Sequence, residues 1–316
     1  MALSISAESL KKTAKQKMKK NSIRSIKKRE TILAYLCLTP VLCGITFCVL
    51  IPVIAALIIS FTNWTALSSP SFVGFTNYIN IFTKDHFFLK SLTVTFYYAI
   101  GAVIFSIIFS FSLAMLMNRR IPFRGFWRSL FYMPCIMPGM AVAILWGWMY
   151  NVDFGLFNII LRSLGIPRSM WIFGEATAVP SMWIMAIWTC GNLLIIFLAG
   201  LQNVPGVYHE AAEIDGANSF HRFIHITVPI MSPIIFYNSL MSLIGSMQAF
   251  TQAFVLTNGG PNNATLFTVF LIWREGFRNN NFGYSSAIAF IFFIIIGLIT
   301  LVIFKTSDKW IFYEGK

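Results

Sequence analysis

The chain has 316 residues, 57% apolar and only 11% charged, with 32 Phe and a formal charge of +13; its mean hydropathy is +0.72 and its pI about 9.7. Soluble globular domains carry about a quarter charged residues, so this composition excludes a soluble enzyme or a disordered protein and points into a bilayer. A nucleic-acid binder carries its basic residues on a solvated face among polar neighbours, so where the charges sit decides what the excess means.

Stretches free of Asp, Glu, Lys and Arg run from Thr31 to Thr83, Ser91 to Asn118, Ser129 to Val152, Ala176 to His209, Phe223 to Trp273 and Asn279 to Phe304. Crossing about 30 Å of hydrocarbon takes roughly 20 helical residues, so each stretch holds one span. Thr62-Asn63-Trp64 and Ser68-Ser69-Pro70 end the apolar part of the first, and Thr257-Asn258-Gly259-Gly260-Pro261 ends that of the fifth. The pattern predicts an all-α membrane protein with helices at 32–60, 92–117, 129–150, 178–201, 228–256 and 285–304. Pro134 and Pro138 should bend or loosen the third, and Trp146, Trp148 and Tyr150 near its outer end suit an interfacial aromatic belt.

With the N-terminus in the cytoplasm, the inner segments hold 18 Lys and Arg and the outer ones 6; ten of the inner ones fall in residues 1–30, and four are Arg119, Arg120, Arg124 and Arg128. Cytoplasmic segments keep the positive excess, so both termini are expected inside. With the acidic residues counted, the net charge is +11 inside and +2 outside, and it reports orientation rather than nucleic acid. The first apolar block is too long for a signal-peptide core and lacks a small-residue cleavage site, so it reads as an uncleaved anchor whose basic tail is drawn to anionic membrane lipid. Cys37, Cys43, Cys48, Cys135 and Cys190 fall in or beside predicted spans with no metal-ligand spacing. His209, His221 and His225 lack the neighbours of a metal site and read as surface histidines.

A P-loop needs G-x-x-x-x-G-K-[ST], which is absent, so the chain is not expected to hydrolyse ATP. None of the six predicted spans carries Asp, Glu, Lys or Arg, so proton coupling has no obvious carrier. Active transport would have to draw its energy from another chain.

Between the fourth and fifth spans, residues 203–228 read as two short helices joined by a turn. Asn203 can cap the first, whose early Pro205 needs no amide partner, and Glu210-Ala211-Ala212-Glu213 favours helix. Asp215-Gly216 should break it, because Gly accepts the left-handed backbone of a helix end. Asn218 or Ser219 can cap the second helix, with Phe220, Phe223 and Ile224 on one face and Pro229 closing it at the membrane.

The spacing of Glu210-Ala211-Ala212, Gly216, Ile226 and Val228-Pro229 resembles the EAA loop of binding-protein-dependent ABC importer permeases, which usually have Leu at the place of Val228. Further segments resemble the carbohydrate-uptake branch of that family, the permeases of maltose, lactose and glycerol-phosphate type systems. They are Ser60-Phe61-Thr62-Asn63-Trp64, Phe72-Val73-Gly74-Phe75-Thr76-Asn77-Tyr78, Leu198 to Pro205, Thr257 to Pro261 with Thr265, and Phe282-Gly283-Tyr284-Ser285-Ser286-Ala287. The resemblance covers roughly residues 30 to 305 and, in the last two segments, is to the first of two permeases.

It implies an ABC type-1 importer transmembrane domain over 91–305, after a basic cytoplasmic tail (1–30) and a first helix with its outer loop (31–90), and before a cytoplasmic tail (306–316). It also implies a second homologous permease subunit, two ATP-binding-cassette ATPase subunits that hold the ATP and magnesium, and an extracellular solute-binding protein. By the same resemblance Glu210, Ala211, Ala212, Asp215, Gly216 and Ala217 form the loop that docks on the ATPase. The small alanines permit close approach, Gly216 sets the bend, and the carboxylates meet the partner's polar groups.

A neutral sugar needs hydroxyl and amide partners and aromatic faces. On the fifth span Ser239, Ser242 and Ser246 share a helical face with Gln248 and Gln252 on the next strip, and on the fourth Met185, Trp188, Thr189 and Asn192 do likewise. Small and polar residues also glue membrane helices together. The pathway candidates are Trp188, Thr189, Asn192, Ser242, Ser246 and Gln248. Two other classes stand beside the importer: a self-contained passive channel or facilitator for small neutral solutes, which has no use for a cytoplasmic docking helix, and a membrane-bound enzyme, for which the spans offer no clustered acid, base or nucleophile.

Overall fold

The computed structural model describes residues 28–119, 121–307 and 311. Residues 1–27 of the basic tail, Arg120, and residues 308–310 and 312–316 of the C-terminal tail lie outside the described residues. The chain divides into two compact units, residues 1–58 and 59–316. Among the described residues the secondary structure is helical, with only isolated bridges pairing Thr62 with Phe72 and Thr65 with Asn281.

Four helices are long and apolar enough to cross a membrane unaided: α1 (Lys28–Ser60), α3 (His86–Asn118), α10 (Ser219–Met247) and α12 (Phe282–Ser307). Two bent pairs raise the number of spans to as many as six: α4 (Arg124–Ile136) with α5 (Gly139–Met149), and α7 (Glu175–Trp188) with α8 (Gly191–Gln202). The connections contain α2 (Thr76–Thr83), α6 (Leu156–Ser163), α9 (Gly206–Ile214) and α11 (Thr268–Trp273).

The third predicted span is not one gently kinked rod: α4 and α5 meet at 100°. Met137 sits in the extended region at ψ 140° because Pro138 follows it, which stops the helix there, whereas Pro134 is accommodated inside α4. The fourth is bent by 47° between Trp188 and Gly191. The fifth begins earlier and ends sooner than predicted, running without a stop from Ser219 through Pro229 and Pro233 to Met247.

Pro229 does not close a helix, because a π-helical turn, Phe223–Thr227, precedes it and the Val228 N–H donates to the Phe223 carbonyl five residues back. Proline lacks an N–H and its ring collides with the carbonyl four residues earlier in a regular α-helix. The widened turn relieves that collision. The same device recurs in α1, where Thr46–Leu50 forms a π turn two residues before Pro52.

In the second unit α3 is the central post. Its first half packs Phe88, Val94, Tyr98 and Ala102 against Val179 and Met182 of α7, Phe267 and Phe270 near α11, and Ala287 and Ile288 of α12. Its second half packs Ala114 and Met117 against Leu194, Phe197 and Leu201 of α8 and Met231 of α10. Close approach depends on glycine at two places. A Cβ on Gly101 would lie 2.1 Å from the Trp183 ring, whose Nε1 donates to the Tyr98 carbonyl at 3.0 Å, and one on Gly200 would lie 2.2 Å from Ile234. Hydroxyls satisfy one another where water is absent: Thr95 Oγ1 lies 3.0 Å from Thr268 Oγ1 and accepts the Thr268 N–H at 2.9 Å.

Three of the segments singled out in the sequence converge at one end of this unit. Asn77 donates to the Ser60 and Thr62 carbonyls at 2.8 Å each, and the Tyr78 hydroxyl lies 2.7 Å from Ser60 Oγ. The Gly283 N–H donates to the Trp64 carbonyl, and a Cβ at Gly283 would lie 2.0 Å from the Thr62 oxygen, so only glycine lets the two strands of chain pass.

Candidate functional site: a helical connector and the cavity above it

The connector is built as its composition requires, with one shift of register. Helix α9 starts at Gly206 with Pro205 as its N-cap, while Asn203 ends α8 rather than capping α9. Pro205 holds the extended conformation at φ −64° and ψ 127°, which ends α8 and frees α9 to begin. At the far end Gly216 takes φ +80°, the Ala217 N–H donates to the Ala212 carbonyl at 2.8 Å, and the Gly216 N–H donates to Glu213 at 3.1 Å. These paired bonds are the Schellman closure that a left-handed glycine makes possible. Asn218 then caps α10, its side chain accepting from the His221 N–H at 2.8 Å.

Arg222 on the first turn of α10 donates to Glu213 of α9 at 2.6 Å, so the two helices are tied across the turn. Between them lies a groove of about 440 Å³, lined by Tyr208, Ala211, Ala212 and Asp215 of α9 and by His225, Ile226 and Pro229 of α10. The four α9 residues recur at i, i+3, i+4 and i+7, one helical face. Of the predicted docking set, Ala211, Ala212 and Asp215 line this groove; Glu210 is on the exposed outer side, and Gly216 and Ala217 form the turn. Val207 and Ile214, 70% and 86% exposed, lie on the same outer strip as Glu210.

Farther along the unit, α3, α7, α8 and α10 line a second cavity, open on one side and also about 440 Å³. It brings together Thr189, Asn192, Ser242 and Ser246 of the predicted pathway set, with Gln252 at its rim. Trp188 and Gln248 are placed elsewhere. Trp188 packs 5.7 Å from the Trp146 ring in a separate apolar cavity of about 610 Å³ at the α4–α5 elbow. Gln248 is exposed at the end of α10, its N–H donating to the Ile244 carbonyl.

The cavity also has walls the sequence reading missed: Tyr98, Ser106, Tyr237 and Asn238. Asn238 is fully buried; its Nδ2 donates to the Leu193 carbonyl at 3.4 Å and its Oδ1 has no partner. A buried acceptor without a donor costs roughly 1–3 kcal/mol, which sets this oxygen apart from the other amides of the lining. Its position was readable: Asn238 precedes Ser242 and Ser246 by four and eight residues on the face already picked out by the serines.

One helix joins the two sites. Arg222 and His225 at the connector and Asn238, Ser242 and Ser246 at the cavity all belong to α10.

Known proteins resemble this chain in sequence and in fold. The probable ABC transporter permease YesP of Bacillus subtilis is 37% identical over 95% of this chain and 97% of its own length. The trehalose/maltose transport system permease MalF of Thermococcus litoralis is 31% identical over 92% of this chain and 98% of its own. The multiple sugar-binding transport system permease MsmF of Streptococcus mutans is 32% identical over 79% and 87% respectively. Among solved structures, a chain of the bacterial alginate ABC transporter, crystallised with an alginate-bound periplasmic protein, superposes with a TM-score of 0.79 at 19% identity, covering 89% of this chain and 96% of that one. Residues 106–313, which include the connector, α10 and all of the cavity lining but Tyr98, match the family described as the binding-protein-dependent transport system inner membrane component. The chain with the Schellman-closed connector and the multi-span helical core therefore belongs to that family, the inner-membrane permeases of ABC transport systems.

Proposed function

We propose that this chain is one of two homologous permease subunits of an ATP-driven importer that carries a carbohydrate, a sugar or oligosaccharide, across the cell membrane. The observation that carries the reading is the continuity of α10, which runs from the connector to the cavity wall. Two ATPase subunits, which hold ATP and magnesium, engage the outer strip Val207, Glu210 and Ile214 and the groove formed by Ala211, Ala212 and Asp215. Their closure moves the connector, Gly216 and Ala217 keep its bend, and α10 passes the movement to the cavity as a rigid-body tilt. Carbohydrate delivered by an extracellular binding protein meets Thr189, Asn192, Ser242 and Ser246, with Asn238 offering its unpaired oxygen to a sugar hydroxyl. Trp188 and Gln248 belong to the walls reached when the second permease is in place. This chain performs no chemistry; both termini and the connector lie in the cytoplasm.

The sugar-transport names of MalF and MsmF support the substrate class, as do a cavity lined by hydroxyls and amides and spans without internal charge. The decisive experiment is uptake by a Gly216→Pro variant that still reaches the membrane. Loss of uptake with unchanged membrane abundance supports the coupling role, and normal uptake overturns it. A sugar panel against the purified binding protein identifies the substrate; a binding protein with no carbohydrate ligand overturns the class.

A further inference from the structure

A pocket of about 340 Å³, separate from the docking groove and reached by His209 of α9, lies where the end of α3, the end of α8 and the start of α10 meet. Its polar wall is made by Asn118, Arg119, His209, Ser219 and Arg222. No carboxylate lines it. Arg124 adds a third guanidinium to the same helix end by donating to the Asn118 carbonyl at 3.3 Å and the Arg119 carbonyl at 2.5 Å. Against these three Arg side chains stands one carboxylate, Glu213, bonded to Arg222. Arg119 itself is exposed at the foot of α3.

The remaining wall is apolar apart from Thr227. Met115, Leu201, Val204 and Phe223 come from, or directly adjoin, three helices whose apolar lengths lead on into the bilayer. The pocket therefore offers guanidinium and hydroxyl donors on one side and hydrocarbon on the other. Guanidinium pairs recognise phosphate oxygens, and basic pockets between spanning helices hold anionic headgroups. A hydrated free phosphate uses only half of such a wall. An amphiphile uses both halves, and the volume, at the low end of the roughly 300–1,000 Å³ typical of small-molecule sites, suits a headgroup rather than a whole lipid.

We infer that this pocket binds the phosphate of an anionic phospholipid, with Arg119 and Arg222 on the phosphate oxygens, Asn118 and Ser219 on the headgroup, and the Met115–Phe223 wall against the start of the acyl chains. The lipid would brace the hinge between α3 and the connector. This concerns a site apart from the substrate cavity and does not depend on which solute is carried.

The test is thermal unfolding of the intact transporter assembly in neutral detergent, titrated with dihexanoyl phosphatidylglycerol, dihexanoyl phosphatidylcholine or inorganic phosphate at constant ionic strength. Phosphatidylglycerol is expected to raise the melting temperature saturably while the other two do not. Arg119→Gln is expected to weaken the apparent affinity for phosphatidylglycerol about five-fold, and Arg119→Lys to retain most of it. An Arg119→Gln response equal to that of the wild type overturns the proposal. An equal rise with inorganic phosphate overturns the lipid assignment in favour of a free-anion site. If Arg119→Gln sheds the ATPase while its phosphatidylglycerol response persists, the pocket docks a protein partner and the proposal also fails. Native mass spectrometry of the unmodified assembly is a readout that needs no variant: a retained phosphatidylglycerol adduct supports the site, and its absence overturns it.

Discussion

The Arg222 guanidinium donates to the Glu213 carboxylate at 2.6 Å across the Gly216 turn, and no other ion pair among the described residues joins α9 to α10. Glu213 is largely exposed, so the pair adds little to stability, about 0.2–1 kcal/mol for bridges of its kind. Its value lies in fixing the angle between the helices. Glu213→Gln is expected to leave the melting temperature within a few degrees while lowering uptake several-fold at equal membrane abundance. Arg222→Glu with Glu213→Arg should recover part of the loss. Uptake by Glu213→Gln at the wild-type rate would show that the tie is dispensable.

Gly216 sits at φ +80° with nothing within 4 Å of where a Cβ would stand. Substitution there strains only the backbone, by about 1–2 kcal/mol for an ordinary residue. The expected order of uptake is Gly, then Asn, then Ala, then Val, because Asn tolerates the left-handed region and a β-branched residue does not. An order following side-chain volume alone, with Ala above Asn, would mean that space and not conformation limits the turn.

Asn238 is the buried amide with an unpaired Oδ1 at the cavity. Asn238→Leu removes a polar group that is only half satisfied, so thermal stability should stay level or rise. Transport should fall by roughly ten-fold if that oxygen meets a substrate donor, as a lost hydrogen bond of about 1.4 kcal/mol implies. Stability loss with unchanged transport would assign Asn238 to the packing of α8 against α10.

Gly101 is occupied from the side by Trp183, whose ring would lie 2.1 Å from an added Cβ. Gly101→Ala should lower stability by about 1–3 kcal/mol through overpacking. Gly101→Ala combined with Trp183→Leu should regain much of it, read as the melting temperature of the detergent-solubilised protein. Additive losses in the double variant would argue against this contact as the cause.

Asp85 serves two elements at once. Its Oδ1 accepts from the Phe87 and Phe88 amides at the start of α3, and its Oδ2 accepts the Tyr284 hydroxyl of α12 at 2.6 Å. Tyr284→Phe removes one bond, worth about 0.5–1.5 kcal/mol, whereas Asp85→Ala also removes a helix cap worth about 0.5–2 kcal/mol. Asp85→Ala should therefore melt at the lower temperature of the two, and the reverse order would contradict the shared role.

Each predicted span overlaps a long apolar helix or a bent helix pair, because hydrocarbon demands length and freedom from charge and little else. The connector's turn was equally plain, since glycine favours the left-handed backbone at position 216 and Asn218 is a natural cap. What escaped were events governed by packing. Pro138 and Pro229 look alike in the sequence, yet the first breaks a helix by 100° and the second is absorbed by a π turn. Hydropathy also hid α2, α6 and α11, which are too short to show a period, and it hid Asn238 among apolar neighbours. The cavity was half legible because serines at helical spacing declare a face, but which neighbouring helix that face meets depends on the α7–α8 bend.

The π turn at Phe223–Thr227 has a genetic corollary. One extra residue in a helix rotates everything beyond it by about 100°, the angle that each residue contributes at 3.6 residues per turn. Arg222 and Asn238 are thus phased by that single insertion, and counting in whole turns between them gives the wrong face. Removing one residue within 223–227 would close the π turn to an ordinary α turn and leave Asn238, Ser242 and Ser246 facing the cavity, whereas adding one would swing them off it together.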